Sequence, residues 1–502
     1  VRRRLLLVLV LVAGLVSLAE PGGPSLAASK GRPICDRAQF AVSDALKEPV
    51  SFHGLPAVRL GPDVDWRMDP HRNRSWMLSL HALRWMGRLV VEYEKTGDDA
   101  YLERAEEITR DWVRDNPRSG LGVSEWAWAE HAVALRAPTL VCLSAYVRSD
   151  WLSASLVEHA GVLADPGLYR AGHNHGLDQD IALLGLGCRL EVGQWRDLAL
   201  SRMTSSARQA VDDQGVLREQ APRYGVYVHQ RLGVAFEAMR ECGLRPPPEL
   251  AARRTALEAY VGHATQPDGR LVAIGDGPAD LRPRGFPRPQ ERIRVFAGGY
   301  VFGRSSWHPS ATFYSIRFGP GRQLHGHEDH MGVTFQIGGR DQLVEAGFHS
   351  YERTAYQAWT VGPTAHNVPV VEGARFRPGT ATRLVSSSIG RTRQVYELTD
   401  DAYGVSRTRK VMVEGEVMSV LDEVPAGSRV RSLWHLAPGS SVRVRMFEMP
   451  GCRPLEPEAR TEEISVGYLR KASSTTLVSP AARAVLTVVA PARFRVTCPA
   501  RW

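Results

Sequence analysis

At 502 residues the chain is too long for one ordinary core and implies two to three domains. Hydrophobic residues at 43% and charged residues at 23% are those of a soluble globular protein and exclude a disordered one. The formal net charge of +9 comes from scattered Lys and Arg with no basic block, which excludes a nucleic-acid arm and suits an anionic substrate.

The chain opens Val1-Arg-Arg-Arg4, continues in an apolar run over residues 5–16, and reaches small residues at Ser25-Leu-Ala-Ala28. A basic stretch, an apolar stretch and small residues before a polar start make the pattern of a secretory signal peptide over residues 1–28. The expectation is a secreted, extracellular protein; an uncleaved anchor is the alternative. No later stretch reaches the roughly 18–20 apolar residues of a membrane span, so no stable membrane insertion is expected after cleavage. Six cysteines, at 35, 142, 188, 242, 452 and 498, are too few for a disulfide scaffold and lack zinc-knuckle spacing. Cys452 with Cys498 is the first pairing expected, and the other four allow three pairings.

From 36 to 264 the pattern is helical. Residues 75–93 carry apolar side chains at i, i+3, i+4 and i+7, residues 101–113 repeat this after Thr96-Gly-Asp-Asp99, and further helices read at 129–147, 151–163, 178–191, 198–211, 227–242 and 249–264. Consecutive helices with short polar loops and no strand signal predict an all-α layer: a bundle, a solenoid or an incomplete toroid. Residues 265–293 shift to Pro, Gly, Asp and Arg, as in Gly275-Asp-Gly277, and read as an interdomain linker. From 294 to 502 the period becomes two, in short β-branched or aromatic runs bounded by Gly, Pro, Asp or Asn, which predicts an antiparallel β-sandwich.

Three polar segments stand out. His173-Asn174-His175 precedes a predicted helix with more hydrogen-bonding groups than one cap needs. Glu219-Gln-Ala-Pro-Arg-Tyr224 opens another. Early in the β half lies His325-Gly-His327-Glu-Asp329, where alternation along an extended segment would send two imidazoles and a carboxylate to one face. A two-residue hairpin at Gly338-Gly339 places Glu345 near Gly332, so Glu345 meets His327 only where 325–329 bends back as a loop.

Taken in order, Asn174-His175-Gly, Glu219-Gln-Ala-Pro-Arg-Tyr224, His325-Gly-His327-Glu-Asp329, Leu343-Val-Glu345-Ala-Gly347 and Thr364-Ala-His366-Asn367 resemble the signature of the heparinase II/III-like polysaccharide lyases. The resemblance implies an α+β multidomain chain, an N-terminal incomplete (α/α) toroid followed by a C-terminal antiparallel β-sandwich. It also implies β-elimination on a uronic-acid-containing acidic polysaccharide, with loss of the C5 proton and of the C4 oxygen. Asn174 and His175 then neutralise the uronate carboxylate, Tyr224 protonates the leaving oxygen and in some members of the family also takes the C5 proton, and His325 is the preferred base or base partner, an imidazole near pKa ~6.5 being suited to proton transfer. His327, Glu345 and His366 fall where the family holds a structural zinc; Glu345 stands where the family's usual residue is Asp. The run 355–363 before His366-Asn367 also differs from the family's. Arg136, Arg170, Arg223 and Trp126 are the residues expected to touch substrate, by bidentate pairing and by stacking. The rivals are a toroid glycoside hydrolase, for which Asp178, Asp180, Glu219 and Asp276 supply carboxylates without a pairing motif, and a non-catalytic polysaccharide-binding protein.

Overall fold

The structure, a computed structural model, describes residues 50–498. The signal-peptide expectation, the first part of the expected helical domain, Cys35 and residues 499–502 lie outside the described residues.

The helical half contains α1 (Arg74–Ala82), α2 (Gly87–Thr96), α3 (Asp99–Asp115), α4 (Glu130–Leu143), α5 (Asp150–Ala164), α6 (Asn174–Arg189), α7 (Gly193–Ala210), α8 (Pro222–Glu241) and α9 (Pro248–Ala264). Alternate helices are neighbours: α4 packs on α6 and α6 on α8 in one layer, with α5, α7 and α9 following outside. That two-layer curl is the toroid. The disulfide Cys188–Cys242 joins the C-terminal ends of α6 and α8, Cα to Cα 5.8 Å apart.

The apolar stripe over 75–93 predicts one helix, yet the chain breaks at Leu83, whose φ is +50°. Four carbonyls at a helix end need partners from elsewhere. Here Trp85 Nε1 donates to Leu80 O at 3.3 Å and Arg136 Nη1 to His81 O at 2.7 Å. The break is therefore held by side chains that a linear reading assigns to other duties.

The β half opens with β1 (Ile293–Phe296), β2 (Tyr300–Arg304), β3 (Phe313–Arg317), β4 (Val333–Ile337) and β5 (Arg340–Leu343), an antiparallel meander. A short helix, α10 (Ala355–Val361), precedes β6 (Pro369–Val371). Next come β7 (Arg383–Ile389), β8 (Arg393–Asp400), β9 (Arg407–Glu414), β10 (Val417–Glu423), β11 (Val430–His435), β12 (Val442–Glu448) and β13 (Arg453–Leu455). The last are β14 (Glu458–Gly467), β15 (Arg470–Val478) and β16 (Ala484–Pro491). They form a seven-stranded sheet in the order β13-β12-β16-β10-β9-β8-β7 and a four-stranded sheet β14-β15-β11-β6. Val420, Trp434, Val485 and Val489 are buried together with Phe335 and Ile316 of the meander in the main core of the β half, while Phe296, Tyr300, Phe302 and Phe313 of the meander join the core of the helical half. Cys452 pairs with Cys498, as the sequence leads one to expect.

No helix or named strand occupies residues 265–292, but the segment is docked rather than slack. Arg270 bonds Asp341 at 2.7 Å, and Asp276 N donates to His325 O at 2.9 Å. Gly275 has φ +60°, and a Cβ there would sit 2.5 Å from His325 O. Only glycine lets the linker approach the histidine loop this closely.

Candidate active site at the seam

Both helical contributions come from first turns. α6 begins at Asn174, four residues before the predicted start, and α8 at Pro222, five before. His173 caps α6 by accepting His175 N at 3.0 Å, and Pro222 suits a first helical turn because its missing N–H has no partner there. Asn174, His175 and Tyr224 thus project from helix N-termini, where the backbone field favours an anionic group.

The opposing wall is residues 320–332, a loop and not the extended segment expected, so His325, His327 and Asp329 do not share a strand face. His325 and His327 instead meet one carboxylate: His325 Nδ1 donates to Asp276 Oδ2 at 2.7 Å and His327 Nε2 to Asp276 Oδ1 at 3.1 Å. Asp329 turns toward Arg317 Nε, 3.4 Å away.

Across the seam the Tyr224 ring stacks on His325, centroids 3.8 Å apart and planes 13° from parallel. Glu219 accepts Asn174 N at 2.6 Å and Asn174 Nδ2 at 2.8 Å, and its Oε2 lies 3.9 Å from His325 Nε2. Asn174, Tyr224 and His325, 151 residues apart at the extremes of numbering, therefore meet in one place. His175 stands one ring further: edge-on to His173 at 4.3 Å, stacked on His131 at 3.6 Å, with Nδ1 on Glu130 Oε1 at 3.1 Å.

Electrostatics separate the groups. Burial pushes the Tyr224 phenol well above its ordinary range, Tyr351 adds to this, and the nearby Arg223 cation only partly opposes it. Tyr224 is held as a neutral proton donor. Burial also raises Glu219. For Asp276 burial works against charge, but the bonds from His325 and His327 prevail and hold it at about 2. Glu130, despite some burial, is held at about 2, chiefly by His175.

Of the expected substrate contacts, Arg223 lies 5.2 Å from the Tyr224 ring and Arg170 Nε bonds Glu130 Oε1 at 3.3 Å, both beside the catalytic candidates. Trp126 is half-buried on the rim under the Arg74 guanidinium, 5.0 Å away, and Arg74 N donates to Glu352 Oε1 at 2.7 Å across the seam. Arg136 is a correction. It is 0% exposed, donates to His81 O, Ala127 O and His159 Nε2, and lies 3.7 Å over the Trp112 ring, so it organises the helical core and cannot reach a ligand. His229 and His330 are held elsewhere, on Glu258 and on Pro320 O.

Glu345 lies where the hairpin geometry puts it: its Oε1 is 3.6 Å from the Cβ position of Gly332. His366 Nδ1 contacts Glu345 Oε2, and the His327 and His366 rings are 5.5 Å apart. His327 Nδ1, His366 Nε2 and both Asp329 oxygens are buried without a hydrogen-bond partner. The orphaned imidazole nitrogens and the Asp329 carboxylate are donor types zinc takes, whereas Glu345 engages His366 through the opposite ring nitrogen, Nδ1. Among the described residues, the acids and histidines whose ligand atoms all lie within 4.8 Å of one another are Asp63, Asp111 and Asp115, an acidic trio bridged by Arg114; His327, Glu345 and His366, the expected zinc ligands, do not form such a group.

Sequence reasoning missed Tyr351, whose hydroxyl bonds that of Tyr224, and the roles of Asp276, Glu130 and His131. Asp276 had one signal, an acid between two glycines in a stretch otherwise free of structure; nothing in its spacing tied it to the histidines.

An incomplete toroid capped by an antiparallel sandwich, with His, Asn and Tyr side chains lining the seam, sets the class of the protein as a two-lobed toroid–sandwich fold. The chain belongs to the heparinase II/III-like family: the model of the heparinase II/III N-terminus matches residues 25–245 and that of the heparinase II/III-like C-terminal region matches 288–482. It is 24% identical over 338 residues to a heparin-sulfate lyase of Pedobacter heparinus, covering 58% of this chain and 50% of that protein. It is 22% identical over 201 residues to one of Bacteroides thetaiotaomicron, covering 37% and 28%. The chain thus spans about half the length of these curated relatives, or less. A crystal structure of heparinase III superposes with a TM-score of 0.73 at 17% identity, covering 87% of this chain and 80% of that one. Heparan sulfate lyase HepC of Pedobacter heparinus gives 0.66 at 17% identity, covering 93% and 86%.

Proposed function

We propose that the protein is a secreted polysaccharide lyase that cleaves a uronic-acid-containing acidic polysaccharide by β-elimination, leaving a 4,5-unsaturated uronate end. The observation that carries this reading is the stack of Tyr224 on His325 beside Asn174. On this reading a proton donor, a proton acceptor and a carboxylate-binding amide are gathered between the lobes.

The C5 proton is unacidic while the adjacent carboxylate is charged, so neutralisation comes first. Asn174, its amide fixed by Glu219, keeps a second N–H for the substrate carboxylate, and His175 adds a further donor. His325 Nε2, with no hydrogen-bond partner, takes the C5 proton. Tyr224, kept neutral by burial, gives its proton to the departing C4 oxygen. Arg223 and Arg170 draw the polyanion in, and Trp126 offers a ring to a sugar face. Zinc, when bound, supplies a fixed positive charge that braces the sandwich wall; His327 and His366 would hold it through their unpartnered nitrogens, with Glu345 fixing the His366 ring from its other nitrogen.

The family and the relatives named above support the lyase class, and the names of those relatives put heparan-type chains first among substrates to test. The carboxylates tell against hydrolysis. Glu219 and Asp276, the acids nearest the stack, have both oxygens engaged by Asn174 and by the two histidines, leaving no free acid–base pair. Export rests on the amino-terminal pattern; among the described residues no helix is long and apolar enough to cross a membrane.

The test is incubation with a panel of acidic polysaccharides: heparan-type chains, alginate, hyaluronan and bacterial exopolysaccharides. Ultraviolet absorbance from a conjugated product is expected on at least one. New reducing ends without that absorbance would mean hydrolysis, and binding without either would mean a non-catalytic protein.

A further inference from the structure

Asp276 belongs to the linker, not to either lobe, yet its carboxylate touches both histidines of the sandwich wall. It is 6% exposed, its Oδ2 takes His325 Nδ1 at 2.7 Å, and its Oδ1 takes His327 Nε2 at 3.1 Å. Its own backbone is pinned to the same loop through Asp276 N and His325 O at 2.9 Å, and Gly275 is wedged against Gln220 O, Ala221 Cβ and His325 O. Each bond has a directional consequence. A carboxylate only accepts, so His325 must carry its proton on Nδ1, which leaves the lone pair on Nε2, in the plane of a ring stacked on Tyr224. By the same rule His327 must carry its proton on Nε2, which leaves Nδ1, buried and unpartnered, as its ligating atom.

We infer that Asp276 is a positioning residue whose single carboxylate sets the tautomer and orientation of both His325 and His327, so that the base and the cation-binding histidine are fixed together by the linker. The kinetic part of this inference rests on the lyase reading; the tautomers and the metal affinity do not. Asn at this position is a sharp probe. Its carbonyl accepts from one ring, but its amide must donate to the other, so one of the two histidines is driven to the opposite tautomer.

The experiment uses the full chain, wild type and Asp276→Asn, with Asp276→Glu as the conservative variant. Ring-nitrogen NMR of zinc-free protein, at a pH where both rings are neutral, should show His325 protonated at Nδ1 and His327 at Nε2 in the wild type. In Asp276→Asn one of them should switch. Zinc affinity by chelator competition should fall roughly 10–100-fold. The kcat on the best polysaccharide of the panel should fall on the order of 100-fold, with KM changed less than about threefold, and Asp276→Glu should recover part of both losses. Wild-type spectra with either proton on the other nitrogen would overturn the inference without any variant. So would a folded Asp276→Asn that keeps both tautomers and wild-type zinc affinity. A wild type without lyase activity but with the stated tautomers would sink the lyase reading and leave Asp276 in place.

Discussion

The two lobes deliver their parts of the site by different means. The helical half presents Asn174, His175 and Tyr224 on the first turns of α6 and α8, elements whose rigidity comes from hydrogen bonds of their own and from the disulfide at their far ends. The sandwich presents His325 on an irregular loop that makes a few bonds of its own, Gly326 N to Gln323 O and Gly332 N to Asp329 O, and takes the rest from outside: from Gln220 and Asp276 across the seam, Val361 of α10 and Arg409 of β9. One wall is self-supporting and the other is held in place. Both lobes bury arginine with aspartate, Arg231 with Asp178 in the helical half and Arg407 with Asp400 and Arg409 with Asp422 in the sandwich. The helical core holds more histidines whose pKa burial lowers, His81, His131 and His159 among them.

The largest effect expected separates chemistry from packing on the rigid wall. Tyr224→Phe keeps the ring stacked on His325 but removes the proton, so turnover should fall by roughly 10²–10⁴-fold while the melting temperature hardly moves. Near-normal turnover would remove Tyr224 from the mechanism. On the supported wall the corresponding blow is Asp422→Asn. Arg409 is fully buried, bonded to both Asp422 oxygens and, through Nη1, to Met331 O and Asn367 O at the roots of the site loops. Leaving that cation uncompensated should cost about 3–5 kcal/mol in chemical denaturation, with the His-bearing loop disturbed as well. A loss under about 1 kcal/mol would mean that Arg409 finds water or another acceptor.

The same contrast explains what the sequence made legible. Apolar periods of 3.6 and of two announced the helices and most strands, because burial of one face is written along the chain itself. The starts of α6 and α8 were read four and five residues late because their first turns, His-Asn-His-Gly and Pro-Arg-Tyr-Gly, face the site rather than the core and so carry no apolar signal. β14 and β15 carry a weak strand signal for a related reason: Glu458–Gly467 and Arg470–Val478 are rich in Glu, Arg, Ser and Thr, and pairing with each other, and of β15 with β11, makes them strands. Arg136 looked like one more surface arginine. Its burial depends on carbonyls released by a helix break 53 residues earlier, at Leu83, which no local pattern records.

Acid should act on the helical half before the sandwich. His81 is pulled down to about 3 by burial and by Arg136, His131 to about 4 by burial and by His175, and His159 is lowered well below its ordinary value, chiefly by burial. His159 has no room for a proton, since Nε2 already accepts from Arg136 Nε at 2.8 Å and Nδ1 donates to Ser155 O at 2.7 Å. The folded pKa lies below the unfolded value of about 6.5, so the unfolded chain binds more protons as pH falls. Stability is therefore full above pH ~6.5 and declines toward the folded values near 3 to 4. At about 1.4 kcal/mol per unit, His81 alone should cost the helical half roughly 3 kcal/mol near pH 4. In the sandwich His330 is held to about 4 and His349 is lowered, a smaller load. Near-ultraviolet signals of Trp76, Trp85 and Trp112 should be lost at a higher pH than β-sheet circular dichroism. Coincident transitions would show that the lobes unfold as one unit.

The smallest effect tests whether the loop is truly held from outside. Gln220 has a backbone φ of +59° and reaches over the seam: Nε2 donates to Pro320 O at 3.1 Å and Gly321 O at 3.0 Å, and Oε1 accepts Gln323 N at 2.7 Å. Gly326 leaves room for it, since a Cβ there would lie 2.3 Å from Gln220 Oε1. Gln220→Ala removes all three bonds and touches neither Tyr224 nor Asp276. Each bond contributes about 0.5–1.5 kcal/mol, and the loop's rim is wet enough for water to replace some of them, so global stability should drop by only about 1–2 kcal/mol. Turnover should fall further than that stability change alone explains, because His325 loses its alignment with the Tyr224 ring while Asn174 and Tyr224 stay where their helices put them. If kcat and KM of Gln220→Ala match the wild type, the loop holds its own shape, and the contrast between a self-supporting wall and a supported one is wrong.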